Sequence, residues 1–84
     1  MKKEKLLARI LANQKGIGFH DMTTLAESFG FSQVRQRGSH HIFSHPRVPE
    51  LLNLQEVRGE VKPYQVRQFL ILVERYDLTL GEGQ

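Results

Sequence analysis

The chain has 84 residues and no cysteine. A domain of this size buries roughly 60% of the surface its unfolded chain exposes, so a large internal active site is excluded, as are a disulfide framework and a thiolate zinc site. Formal net charge is +3, from 12 Lys and Arg against 9 Asp and Glu, so the distribution of charge carries more information than its sum.

The first element in chain order is a helix from Lys2 to Asn13. Leu6, Leu7, Ile10 and Leu11 recur at helical spacing, with Lys3, Lys5 and Arg9 between them. Arg9 interrupts the apolar run too early for a secretory leader. No stretch reaches membrane-spanning length, and the absence of cysteine suits a reducing compartment. A soluble cytoplasmic protein without membrane contact is expected. The glycines of "NQKGIG" (Asn13–Gly18) separate the first helix from the second. Residues 1–18 therefore read as an N-terminal extension that docks on a main domain spanning 19–80, with 81–84 as a tail.

A second helix begins near His20 or Asp21 and runs to Ser28 or Phe29. Met22, Leu25, Ala26 and Phe29 form its apolar stripe, and Gly30 ends it. Phe31–Gln36 and His40–Ser44 read as two strands of a hairpin, joined by a short turn containing Gly38. Pro46 and Pro49 are expected to end the second strand and shape a loop. Leu51–Gln55 is a third strand, with Leu52 and Leu54 facing one way and Asn53 and Gln55 the other. "RGEVK" (Arg58–Lys62) reads as a polar loop. Pro63 suits a first helical turn, and Tyr64–Tyr76 is the last helix, with Val66, Phe69, Leu70 and Val73 as its buried stripe. "DLTLGEGQ" reads as a fraying tail. The expected fold is α+β, an α-β-β-β-α order with a three-stranded antiparallel sheet covered on one face by helices, plus the extra N-terminal helix. Double-stranded RNA-binding modules share that order.

Charge and imidazole concentrate in one place. From Phe31 to Arg47 there are three arginines, three histidines and no acid, a patch suited to a polyanion. On a strand, His40, Ile42 and Ser44 share one side and His41, Phe43 and His45 the other. Each side holds one apolar residue, so the pattern leaves the buried side open. With Ile42 buried, His40 would sit at the sheet rim beside a helix. An imidazole titrates near pH 6.5 and can exchange a proton at neutral pH. RNA offers a 2′-hydroxyl beside its own phosphate. A base that takes that proton lets the oxygen attack in line, and cations steady the developing charge. His40 is the candidate base, and Arg35, Arg37 and Lys62 are candidates for holding phosphate. A metal site is the rival reading of "HHIFSH". On a strand, however, His41 and His45 would lie roughly 13 Å apart, too far to share an ion, and no acid is near. No metal or other cofactor is expected. Arg67 and Arg75 read as solvated charges, and Tyr64 and Tyr76 as amphipathic edge residues.

At these residues the chain resembles a known family. Phe29-Gly30-Phe31, Arg35-Gln36-Arg37, Gly38-Ser39-His40 and Phe43 are similar to the central motif of the HicA (YcfA-like) toxins of bacterial toxin–antitoxin systems. "GEVKPYQVRQFLILVERYDL" resembles the family's closing segment, and the likeness covers about Phe19 to Leu80. The resemblance implies a fold similar to double-stranded RNA-binding domains and a ribosome-independent mRNA endonuclease that needs no metal. It implies that the catalytic histidine is the one following Gly-Ser, His40, and that a HicB-like antitoxin covers the active face. Gly38, Ser39 and His41 would join Arg35, Arg37 and Lys62 in positioning the histidine and binding RNA. The alternative is a non-catalytic RNA-binding module on the same fold; a third reading is an antitoxin-binding domain whose activity has faded. Neither the oligomeric state nor the roles of His41 and His45 follow from the residues. Many family members carry Val-Pro-x-His on or after the third strand. Here the stretch is Leu52–Gly59, with Asn53 and Gln55 instead.

Overall fold

The computed structural model describes residues 3–81. The order is α1 (Lys3–Ala12), α2 (Phe19–Ser28), β1 (Ser32–Arg37), β2 (His40–His45), β3 (Val48–Val57), β4 (Glu60–Val61) and α3 (Pro63–Arg75). The strands form one antiparallel sheet in the order β1-β2-β3-β4. This is the expected α-β-β-β-α architecture with a leading helix and one added strand. Among the described residues no helix is long and apolar enough to cross a membrane. The expected position of Lys2 in α1, and the part of the tail beyond Gly81, lie outside the described residues.

Local chemistry sets the element ends. α2 closes with a Schellman motif: the Gly30 N–H donates to the Glu27 carbonyl and the Phe31 N–H to the Ala26 carbonyl, at 3.0 and 3.1 Å. Gly30 sits at φ +99°, where a side chain is disfavoured. That turn drops Phe31 into the core and launches β1. α3 starts with Pro63 in its first turn and ends in the same motif, with Asp77 in the left-handed position at φ +52°. Leu78 is buried just beyond it, and the Gly81 N–H donates to the Ser28 carbonyl at 2.8 Å. The C-terminal segment is therefore tied to α2 through Gly81 rather than frayed.

Two further expectations are corrected. Pro49 does not shape a loop: β3 runs through it, because the turn is complete at Pro46-Arg47, where His45 already pairs with Val48. "RGEVK" is not a plain loop. Arg58 and Gly59 both take positive φ, +53° and +79°, as a two-residue type I′ turn requires, so Glu60 and Val61 fold back on Val57 and Glu56 as β4.

One core cluster holds the molecule together. It takes Leu6 and Ile10 from α1, Met22 and Leu25 from α2, Phe43, Leu52 and Leu54 from the sheet, and Phe69 and Leu72 from α3. α1 thus covers apolar surface of the main body, although Leu11, counted in its stripe, is 62% exposed. Phe69 meets Phe29 edge-on at 5.4 Å between centroids and lies 6.0 Å from Phe31, geometries that add roughly 0.5–1.5 kcal/mol per pair beyond burial. β1 contributes no buried residue. Its outer edge carries Arg35 and Arg37 and a register shift between Gln33 and Arg35, features that blunt edge-to-edge pairing.

α3 is pinned to β3 by a polar clasp. Glu50 accepts hydrogen bonds from the Tyr76 hydroxyl and from the Arg75 guanidinium, the latter at 2.6 Å. Arg75 is therefore paired rather than merely solvated, and Tyr76 is the amphipathic edge residue expected. The Tyr76 hydroxyl, and then Arg75, hold the Glu50 carboxyl below its ordinary range. A carboxyl depressed on folding stabilises the fold above its unfolded value and loses that contribution as pH falls through the folded one. Glu50→Gln should therefore lower the urea midpoint at neutral pH. Its midpoint and that of the wild type should converge on acidification from about pH 5 to pH 3; a constant gap would deny the clasp this role.

Candidate active face of the sheet

The site is built on the β1–β2 hairpin. Gly38 and Ser39 make its two-residue turn. Gly38 has φ +57° and Ser39 does not take positive φ, the pattern of a type II′ turn with glycine first. An added Cβ at Gly38 would meet nothing within 4 Å, so the requirement is for backbone conformation and not for space. The turn is braced: the Gln36 side chain donates to the Gly38 carbonyl at 3.0 Å, the Glu56 N–H donates to the Ser39 carbonyl at 2.9 Å, and the Gln55 amide donates to the Ser39 hydroxyl at 3.3 Å.

Strand β2 then sorts the histidines. Phe43 and His45 are buried, at 1% and 5% exposure, so their face is the helix-covered one. Ile42 is only half-buried, so His40 is not on the helix-covered side. It points to the open face. Cross-strand partners project the same way, so the register aligns Arg37, His40 and Gln55 in one row across that face and Arg35, Ile42 and Asn53 in the next.

Each histidine has a different environment. Half-buried His40 places Nδ1 3.2 Å from the Asn53 Oδ1. A carbonyl oxygen only accepts, so Nδ1 is the donor to Asn53 and Nε2 is the nitrogen left over. His41 lies on the covered side, its ring 4.5 Å from that of Phe19 and its Nδ1 3.2 Å from Gln33 Oε1. It is thus separated from His40 by the thickness of the sheet. His45 donates from Nε2 to the Phe29 carbonyl at 2.9 Å and accepts from the Arg47 N–H at Nδ1, 3.0 Å. Its ring also stands edge-on to Phe31 at 5.1 Å. It joins the C-terminus of α2 to the β2–β3 turn, and both its nitrogens are committed.

Of the expected phosphate-binding residues, Arg35 and Arg37 share the open face with His40. Lys62 comes from a different element. It is the N-cap of α3 and connects to the histidine through backbone and amides. The Gln65 N–H donates to the Lys62 carbonyl at 3.0 Å, Gln65 Oε1 accepts from the Gln55 N–H at 2.7 Å, and Gln55 pairs with His40. Residue-by-residue reasoning missed Asn53 as the partner of His40. The only available signal was that Asn53 and Gln55 alternate with Leu52 and Leu54 on β3.

A family model described as the HicA toxin of bacterial toxin–antitoxin systems matches residues 19–73. The chain belongs to the HicA family. The match runs from the first residue of α2 into α3 and includes the whole hairpin, while α1 lies outside it. Comparisons with curated proteins and with solved structures return no match. HicA membership identifies a toxin component of a toxin–antitoxin pair and implies a cognate antitoxin as partner.

The division of labour among the histidines is measurable in stability. His45→Ala strands the Phe29 carbonyl and the Arg47 N–H, and should cost roughly 1–3 kcal/mol of unfolding free energy in urea titrations. His40→Ala, on the open face, should stay within about 0.5 kcal/mol of wild type. Equal costs would contradict the assignment of His45 to structure and His40 to the working face.

Proposed function

We propose that this HicA protein is a metal-independent endoribonuclease that cleaves mRNA as a toxin, working in the cytoplasm where that substrate is found. One observation carries the reading. His40 is fixed through Nδ1 by Asn53, offers Nε2 to the open face, and shares its row with Arg37. A base so placed removes the 2′-hydroxyl proton. The 2′-oxygen then forms a bond to phosphorus while the bond from phosphorus to the 5′-oxygen breaks, and the leaving oxygen takes a proton from solvent. The products are a 2′,3′-cyclic phosphate and a 5′-hydroxyl end. Arg37 and Arg35 face the charge that develops on the phosphate oxygens. Gly38 and Ser39 hold the turn that aims His40. Lys62, and His41 from the covered side, act farther out, Lys62 on flanking phosphate and His41 by bracing the hairpin against Phe19. A HicB-like antitoxin would silence the toxin by covering this face.

Purified protein in excess EDTA should cut RNA and leave a DNA copy of the same sequence intact, since DNA lacks the attacking hydroxyl. Folded His40→Ala should lose cleavage and retain RNA binding. Equal cutting by both would remove His40 from the mechanism. Binding without cutting by the wild type would favour a recognition module instead. Arg37→Glu should weaken RNA binding several-fold and flatten its salt dependence while leaving the urea midpoint near that of the wild type; unchanged affinity would take Arg37 out of the interface.

A further inference from the structure

A groove of about 260 Å³ opens where β3 passes α3, lined by Leu51, Asn53, Tyr64, Gln65 and Gln68. Two features set it apart from the other surface hollows. The first is Gln65, only 3% exposed. Its Oε1 accepts the Gln55 N–H at 2.7 Å, which fixes the amide orientation, and its Nε2 has no hydrogen-bond partner among the described residues. A buried donor left unmade costs about 1–3 kcal/mol, and a ligand that supplies an acceptor would remove that cost. The second is Asn53, which lines the groove and also holds His40. The hollow therefore adjoins the proposed base by a single side chain.

The walls suit a flat, partly polar guest. Tyr64 and Leu51 are 55% and 50% exposed, an aromatic face and an aliphatic one of the kind on which unpaired bases stack. The amides of Gln65, Asn53 and Gln68 bring hydrogen-bonding groups to the same hollow. Its volume lies below the roughly 300–1,000 Å³ of sites that enclose whole small molecules, so it takes part of a larger ligand. We propose that the groove is a base-recognition subsite that receives an unpaired base bearing a ring carbonyl, as uracil and cytosine do and adenine does not, next to the cleaved phosphate, with a shift of the Gln65 side chain bringing its buried Nε2 to that carbonyl and Tyr64 stacking on the base. The inference rests on the ribonuclease reading and names what that site selects. Specificity of this type is strong because the wrong base leaves the buried donor unpaired.

The test uses the full chain with His40→Ala, so that RNA stays intact, and short single-stranded oligomers of uridine, cytidine or adenosine. Fluorescence anisotropy should show uridine and cytidine oligomers binding about fivefold or more tighter than adenosine, and the Gln65 side-chain amide resonances should shift only with the pyrimidines. Tyr64→Ala changes an exposed residue and should erase most of the preference while the salt-dependent part of binding remains. Gln65→Glu keeps the acceptor for the Gln55 N–H and replaces the free donor with an oxygen; it should abolish the preference. Equal binding of all three oligomers, with an unmoved Gln65 amide, would overturn the subsite and leave the ribonuclease reading intact if the wild type cuts RNA. No binding of any RNA, with no cutting by the wild type, would overturn both.

Discussion

Strand β2 buries Phe43 and His45 in the core, and a pleated strand cannot bury one residue without turning its neighbours to the opposite face. That constraint places His40 outward on the open side of the sheet and His41 inward against Phe19. A one-residue slip of register would exchange the two histidines. The register is held from several directions at once. The type II′ turn fixes one end of the hairpin, the His45–Phe29 bond fixes the other, and the pairing of His41 with Leu54 and of Phe43 with Leu52 holds the middle.

The same constraint explains how a small basic hairpin carries three histidines in three roles. On the covered face His41 packs against Phe19 and contacts Gln33 through one nitrogen, and His45 is buried with both nitrogens bonded. His45 is a cross-brace whose two nitrogens satisfy backbone groups at an α2 terminus and a β turn. His40 has one nitrogen bonded to Asn53 and lies on the open face. Arg35 and Arg37 lie on an exposed edge strand that contributes nothing to the core, and charge there guards that edge from pairing with another copy.

α3 connects this face to the rest of the fold. Its far end is clasped to Glu50 through Arg75 and Tyr76, and its near end contacts β3 through Gln65. Between them lies the groove beside Asn53. The helix thus supports the strand that orients His40 and forms one wall of the space where RNA selectivity is proposed to arise. α1, outside the family match, adds Leu6 and Ile10 to the common cluster.

Much of the architecture was legible in the residues themselves. Helical spacing located α1, α2 and α3 to within a residue or two, since apolar periodicity and the glycine after α2 are local signals. The Gly-Ser turn, the hairpin and the alternation of Leu52 and Leu54 with Asn53 and Gln55 are likewise local, and the motif from Phe29 to Phe43 was sufficient to point to the family. β4 was missed because Arg58 in a left-handed turn position runs against the usual preference for Asn or Gly. The orientation of β2 could not be read because each of its faces carries one apolar residue. Only packing decided that Phe43 and not Ile42 goes inward, since the larger ring fills the space beneath the helices. Tertiary structure alone brought Asn53 to His40, Glu50 to Tyr76 and Gln65 to the backbone of Gln55, pairs separated by 10 or more residues whose meeting depends on strand register and helix docking. Sequence determined which groups are available for chemistry. Register and burial determined which of them are left free to perform it.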